Sequence, residues 1–499
     1  EFRRVLFRSL FTNTSIASKI EAYNNKIVWS TIIIKRSNYM PINSFENYPM
    51  TWKPKLDNRK PPIYKTLAML LEEDIKRGNL NPGDKLPPQR ELADFLDLNL
   101  STITRAFKLC EEKGLICAKV GKGTFISSDV NVSNTLLYQT ESKDIIELGT
   151  VHPPYEQNTY IIDFIKNVLK QPEMDRFLQY MSPSGTYMQK KSIAKWIERN
   201  NVYTSEENIL LSTGGQNAIC ATLLGLFKAG DRIATDSLSF SGIKSIAKMI
   251  GIQLVPIPQE NNEISIEYLE SYCKNENIKG IYLIPDYHNP TTHTMSDLSR
   301  KKIAKIAKQY NIIIIEDAIN SIFRDGIQTP IFSLASDNTI YIFSTSKFLC
   351  AGLRVAFVVA PKRYIENLEN VLYNMNLMVS PFTSEIVHRL LYSPIIDKII
   401  EEKRDAIIER NEVADKVLSD YNLIGDKNCS FRWLLLPDEL DGKSFEISAK
   451  NLGVQVYCAE RFSVGNSTVP KAVRICVTAP KDVEELEKGL NIIKSLLKS

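Results

Sequence analysis

Lys347 stands in Tyr341-Ile-Phe-Ser-Thr-Ser-Lys-Phe-Leu-Cys-Ala-Gly-Leu-Arg354, which reads as a strand and a polar loop leading into the apolar run 355–360. A lysine held between two buried strands can be desolvated and oriented, which suits a Schiff-base nucleophile. Ser344, Thr345 and Ser346 precede it and Arg354 follows seven residues later, so hydroxyls and a guanidinium are at hand for a phosphate. Taken alone, the motif fits an ordinary loop lysine equally well. Other residues add to the chemistry. Thr213-Gly-Gly-Gln-Asn217 opens a helix after a strand, where free N–H groups make an anion seat. Phe240 offers an aromatic face, Asn289-Pro290 an amide donor at a turn, and Asp317 a carboxylate ending a very apolar run, where it needs a cationic partner.

The elements that must position these residues alternate. Strand candidates are 209–212, 232–235, 253–257, 280–284, 312–316, 339–343 and 353–359. Helical spacing marks 218–228, 240–250, 266–274 and 298–310 between them. Such alternation predicts an α/β domain with a mostly parallel sheet, whose ligands sit at strand carboxyl ends, where the residues above fall.

A separate pattern precedes this domain. Ile63, Leu67, Leu70, Leu71 and Ile75 repeat at helical spacing. A second helix starts from Leu86-Pro-Pro-Gln-Arg-Glu-Leu-Ala93, with proline in its first turn. A third runs over 102–113 with Ser101 as N-cap. Residues 115–120 and 124–127 read as a hairpin around Gly121-Lys-Gly123. Three helices and a wing predict a winged helix-turn-helix, with five basic against two acidic residues from 105 to 122 to face phosphates. Boundaries are placed at 1–49 (a leader read as non-native or disordered, Met50 being a plausible start), 50–127, a polar linker at 128–144, and 145–499.

The chain has 499 residues, 43% hydrophobic and 24% charged, with net charge +4, so any DNA contact needs a local basic surface. No apolar run approaches the ~18 residues of a membrane helix. Eight scattered cysteines without C-x-x-C predict reduced thiols and a cytoplasmic protein, and the four histidines form no metal motif.

The first module resembles GntR-type regulators through 86–93, Thr102–Ala106 and Gly114-Leu-Ile116 with Gly121-Lys-Gly-Thr-Phe125. That resemblance implies double-stranded DNA as partner and Arg90, Ser101, Thr102, Thr104, Arg105, Lys122 and Gly123 as contacts. From about residue 144 onward the chain resembles the fold type I pyridoxal phosphate enzymes, the aspartate aminotransferase-like group, through the ordered residues above. Tyr180-Met-Ser-Pro-Ser-Gly185, Trp433-Leu-Leu-Leu-Pro437 and Val473-Arg-Ile-Cys-Val477 extend it. It implies pyridoxal 5'-phosphate, with Lys347 as the attachment lysine and Asp317 on the ring nitrogen. Asn289 would bond the ring hydroxyl, Phe240 stack on the ring, and Gly215, Gln216, Ser344, Ser346 and Arg354 hold the phosphate. Arg474 would clamp a carboxylate, and Tyr180 would reach a neighbouring subunit.

Fused, the two modules resemble the MocR/GabR subfamily. The resemblance implies a small C-terminal subdomain, a homodimer, and a regulator sensing an amino compound or the cofactor itself. The alternative is a working aminotransferase with an accessory DNA module. One departure stands out. Related regulators read Glu-Asp-Asp-Tyr where this chain reads Glu316-Asp-Ala-Ile319, so the tyrosine that would assist Asn289 is missing, and Tyr287 offers another hydroxyl.

Overall fold

The computed structural model of the protein describes residues 50–56, 62–77, 79–80, 83–119, 123–127, 145–324, 326, 328–465 and 467–498. The expected leader, the linker and Lys122 lie outside them.

The amino-terminal module is built from α1 (Ile63–Lys76), α2 (Gln89–Leu96), α3 (Leu100–Glu112) and the hairpin β1 (Ile116–Lys119) and β2 (Gly123–Ile126). Leu67, Leu71, Leu92, Ile103, Phe107 and Ile126 form its core, as the helical spacing requires. Two helix starts differ from the sequence reading. Asn99, not Ser101, caps α3: its side chain accepts from the Ser101 backbone N–H at 2.9 Å. Both are short polar residues, and the one placed outside the first turn can reach back to that donor. Pro88 is the residue before α2 rather than in its first turn.

The large domain is organised on seven strands: β3 (Ile209–Ser212), β4 (Arg232–Asp236), β5 (Gln253–Ile257), β6 (Ile278–Leu283), β7 (Ile313–Asp317), β8 (Thr339–Ser344) and β9 (Ala356–Val359). Their spatial order is β3-β9-β8-β7-β6-β4-β5. All run parallel except β9, which is antiparallel to both neighbours. Helices α4 (Gly215–Leu226), α5 (Ser241–Ile250) and α6 (Asp297–Tyr310) connect strands and cover the sheet. Both faces are buried, which explains why the central strands read as unbroken apolar runs.

The long helix α7 (Ile395–Val417) leads to a four-stranded antiparallel sheet that includes β10 (Phe431–Leu435) and β11 (Ala472–Cys476), with its own core. This is the small C-terminal subdomain. Among the described residues no helix is long and apolar enough to cross a membrane.

α7 carries an unusual burden. Lys403 is 0% exposed, and its ammonium donates to the Pro154 carbonyl. Burial pushes its pKa from 10.5 down to about 8. The folded-state value is the depressed one, so charging this lysine costs stability fully below about pH 8, and the cost is gone above the unfolded value. At 1.36 kcal/mol per unit this is about 3 kcal/mol. Lys403→Met is expected to gain most over wild type at pH 7 and to lose that advantage by pH 10.5, read from melting temperatures across the range. An advantage independent of pH would contradict this account of the burial.

Candidate functional site

Strand register gathers the chemical residues at one edge of the sheet. Asp317 pairs with Ile342 across β7 and β8, Ser344 with Ala356, and Ala356 with Ser212. The parallel strands thus bring Asp317, Ser344 and the 213–217 loop to their carboxyl ends. The antiparallel β9 brings the residues before its start, Arg354 among them, to the same edge.

The phosphate seat is shaped by what is missing from two glycines. Gly214 has φ +90° and ψ 165°, a conformation open to glycine almost alone, and a Cβ there would collide with the Arg354 guanidinium. A Cβ on Gly215 would stand 2.6 Å from Ile319 Cδ1. The free N–H groups of α4 therefore open onto a space bounded by Arg354, Ser344 and Ile319. Ser344 Oγ donates to Ser346 Oγ at 3.1 Å and accepts from the Ser346 N–H at 3.3 Å. Gln216 Nε2 donates to the Gly242 carbonyl, while its Oε1 is buried with no partner among the described residues. The ring of Phe240 lies over Gly242, where no side chain obstructs it.

The electrostatics fit a cationic ring nitrogen beside Asp317. This carboxylate is 3% exposed, and burial pushes its pKa from 3.8 up to about 6. Its hydrogen-bond partners are the Tyr282 hydroxyl (2.6 Å) and the Ile319 N–H (3.3 Å), both neutral. Lys347 is half-buried and donates to the Val151 carbonyl at 2.5 Å. Burial lowers its pKa from 10.5 to about 8, aided by the charges of Arg474 and Arg354. At pH 7.5 that raises the neutral amine fraction by roughly 240-fold over an ordinary lysine. His152, beside Lys347, is likewise held below its usual value, first by burial and then by the lysine's charge.

Asn289 and Arg474 come together. Arg474 Nη1 donates to Asn289 Oδ1 at 2.5 Å and Nη2 to the Gly149 carbonyl at 2.5 Å, while its buried Nε has no partner among the described residues. This turns the Asn289 amide so that its NH2 remains available as a donor. Tyr180, at 81% exposure, stands clear of this group.

Sequence reasoning missed Tyr282, Gly149 and Val151. Tyr282 was signalled only as a polar hydroxyl in an otherwise apolar strand. The two carbonyls carry no side-chain signal at all. The alternative role for Tyr287 is not supported by its position, since its hydroxyl donates to Asp426 Oδ1 at 2.9 Å. Ile319→Tyr is therefore expected to lower the pH midpoint of the bound cofactor's absorbance by about one to two units, the worth of one hydrogen bond to a charged oxygen. Tyr287→Phe should leave it unmoved. The reverse pattern would overturn this assignment.

On the winged helix, Arg90, Ser101, Thr104, Arg105 and Gly123 are exposed and Thr102 is partly so. Arg105 is held 4.7 Å over the Tyr64 ring, and the Thr104 hydroxyl donates to Gln89 Oε1. Lys113, counted in the basic face, is bonded to Glu72 at 2.9 Å, which leaves less free charge than the sequence count implied.

Residues 143–493 match the aminotransferase class I and II family, and residues 63–126 match the gntR family of bacterial regulatory proteins. The uncharacterized HTH-type transcriptional regulator YdeF of Bacillus subtilis (strain 168) is 47% identical over 458 residues, covering 92% of this chain and 99% of its own length. The HTH-type transcriptional regulator NorG of Staphylococcus aureus (strain N315) is 23% identical over 395 residues, 72% of this chain and 88% of its own. Among solved structures, an archaeal alanine:glyoxylate aminotransferase superposes with TM-score 0.68 at 22% identity, covering 74% of this chain and 95% of that one. The α-aminoadipate aminotransferase LysN of Thermus thermophilus gives 0.66 at 22%, covering 74% and 96%. These likenesses show the fold, and the class I and II domain implies pyridoxal 5'-phosphate as the cofactor that the residues above fit. The chain belongs to the HTH-type transcriptional regulators in which a gntR-family winged helix is joined to an aminotransferase class I and II domain.

Proposed function

We propose that this protein regulates transcription as a homodimer, binding repeated DNA half-sites through its winged helices. Its aminotransferase-like domain would sense an amine, an amino acid or pyridoxal phosphate itself. The observation that carries this reading is the pairing, on one chain, of an exposed helix start bearing Thr102, Thr104 and Arg105 with a buried lysine–carboxylate pocket.

Pyridoxal phosphate, when bound, supplies an aldehyde that condenses with amines. The chain's residues would do the rest. Arg354, Ser344, Ser346, Gly215 and Gln216 would hold the phosphate, Phe240 the ring face, and Asn289 the ring oxygen. Asp317 would keep the ring nitrogen protonated. Lys347 would offer the amine, poised by its lowered pKa, and Arg474 would receive a carboxylate. Exposed Tyr180 would reach a second copy. An effector that favours one arrangement of the two DNA-binding modules over another would shift operator affinity by that difference in binding free energy.

Arg105→Ala is expected to weaken specific operator binding by about 1–3 kcal/mol and relax sequence preference, as loss of a base-reading arginine does. Lys122→Ala should weaken binding to all sequences alike and reduce its salt dependence. Fluorescence anisotropy on DNA from the protein's own promoter region measures both. Unchanged affinity in both variants would remove the DNA-binding reading. Rapid amino-group transfer to a keto acid, with no specific DNA binding, would favour the aminotransferase alternative.

A further inference from the structure

A second cavity, of about 280 Å3, lies outside the cofactor site. Glu316 and Tyr341, paired in register across β7 and β8, both line it. Successive side chains of a strand point to opposite faces, so Glu316 faces this cavity while its neighbour Asp317 faces the cofactor residues.

The cavity's acids are already satisfied. Glu316 accepts from the Ile331 and Phe332 N–H groups at 2.9 and 2.7 Å. Asp286 accepts from Arg300 at 2.7 Å and from Arg324. At the mouth, Arg199 is bonded to Asp397 at 2.6 Å. Of the three guanidiniums that line the cavity, Arg199 and Arg324 are engaged by Asp397 and Asp286, whereas Arg404 of α7 has no carboxylate partner among the described residues. The Arg404 Nε is buried without a hydrogen-bond partner among the described residues. The buried Gln328 Oε1, on the same wall, is an acceptor without a donor among the described residues. A buried guanidinium nitrogen and a buried acceptor, each unpartnered, are costly unless something meets them.

We propose that this cavity binds a small hydroxy- or amino-carboxylate. Its carboxylate pairs with Arg404, and its hydroxyl or ammonium donates to Gln328. The site is joined to the cofactor pocket through a short segment: Ala318 and Ser321 line the cavity, while Asp317 and Ile319 belong to the cofactor site. An occupant therefore touches the segment that fixes Asp317, and coupling between the two sites must be reciprocal.

Glycolate and L-lactate are suitable probes, because they carry no amine and cannot condense with the cofactor's aldehyde. Calorimetric titration of the full chain, saturated with pyridoxal phosphate, is expected to show saturable binding of at least one of them. Arg404→Gln should weaken that binding at least tenfold, and Arg474→Gln should leave it intact. Ile400→Phe, which fills the cavity and keeps Arg404, should also weaken it, so the outcome does not depend on one variant folding. Absence of saturable binding for both probes would overturn the proposal. So would binding that survives both cavity variants, or that disappears only in Arg474→Gln.

Discussion

Lys347→Ala is expected to abolish covalent trapping of pyridoxal phosphate by borohydride and the yellow absorbance of the loaded protein. The expectation rests on more than the position of a lysine after Ser344-Thr-Ser346. Burial brings its pKa to about 8, so a substantial neutral fraction exists near pH 7.5, and the Val151 carbonyl at 2.5 Å fixes the amine. Lys403 is a useful internal control, because its pKa is also lowered to about 8, but it is fully buried, donates to Pro154 and does not line the phosphate seat. Peptide mapping of reduced wild-type protein should therefore find the cofactor on Lys347. Label on Lys403 or any other lysine in the variant would refute the assignment.

The second large effect is expected from Asp317→Ala. Removing one partner of a buried charge pair costs about 3–5 kcal/mol, or roughly two to four decades in cofactor affinity, measurable by absorbance titration. The pH dependence has a definite sign. Without the cofactor, the folded pKa of about 6 exceeds the ordinary 3.8, so the neutral acid is the favoured form in the fold. That contribution is full below 3.8 and is lost as pH rises through 6. A cationic ring nitrogen reverses the balance by pairing with the ionised form. The rise in melting temperature on loading should thus be larger at pH 7.5 than at pH 5 in wild type, and this difference should vanish in Asp317→Ala. An equal cofactor affinity in variant and wild type would show that Asp317 has no such partner.

These assignments were open to sequence reasoning to different degrees, for physical reasons. Lys347, Ser344, Ser346 and Arg354 lie within eleven residues of one strand–loop–strand, so their proximity is local and survives into the fold. Asp317 was legible because a carboxylate ending the run 312–315 has few innocent explanations. The alternation of strands and helices pointed to the α/β sheet, but not to the antiparallel course of β9. The reversal depends on the connection through 345–355, and it explains how Arg354 reaches Gly214. Contacts that join distant segments left no trace. The Gly149 carbonyl holds Arg474 across 325 residues, and Tyr282 meets Asp317 only because β6 and β7 are neighbours. The capping of α3 by Asn99 rather than Ser101 reflects the usual uncertainty of one or two residues at helix ends.

If the pocket around Lys347 and the winged helix act as one device, occupancy of the first must be felt at the second. The deciding quantity is operator affinity of the full chain, read by anisotropy at fixed salt as pyridoxal phosphate is added, with Lys347→Ala run alongside. We expect a shift of roughly 5- to 150-fold in wild type, the range of ordinary allosteric coupling, and none in the variant. Identical operator affinity of cofactor-free and fully loaded wild type, unmoved by any amine or amino acid added afterwards, would contradict the coupling.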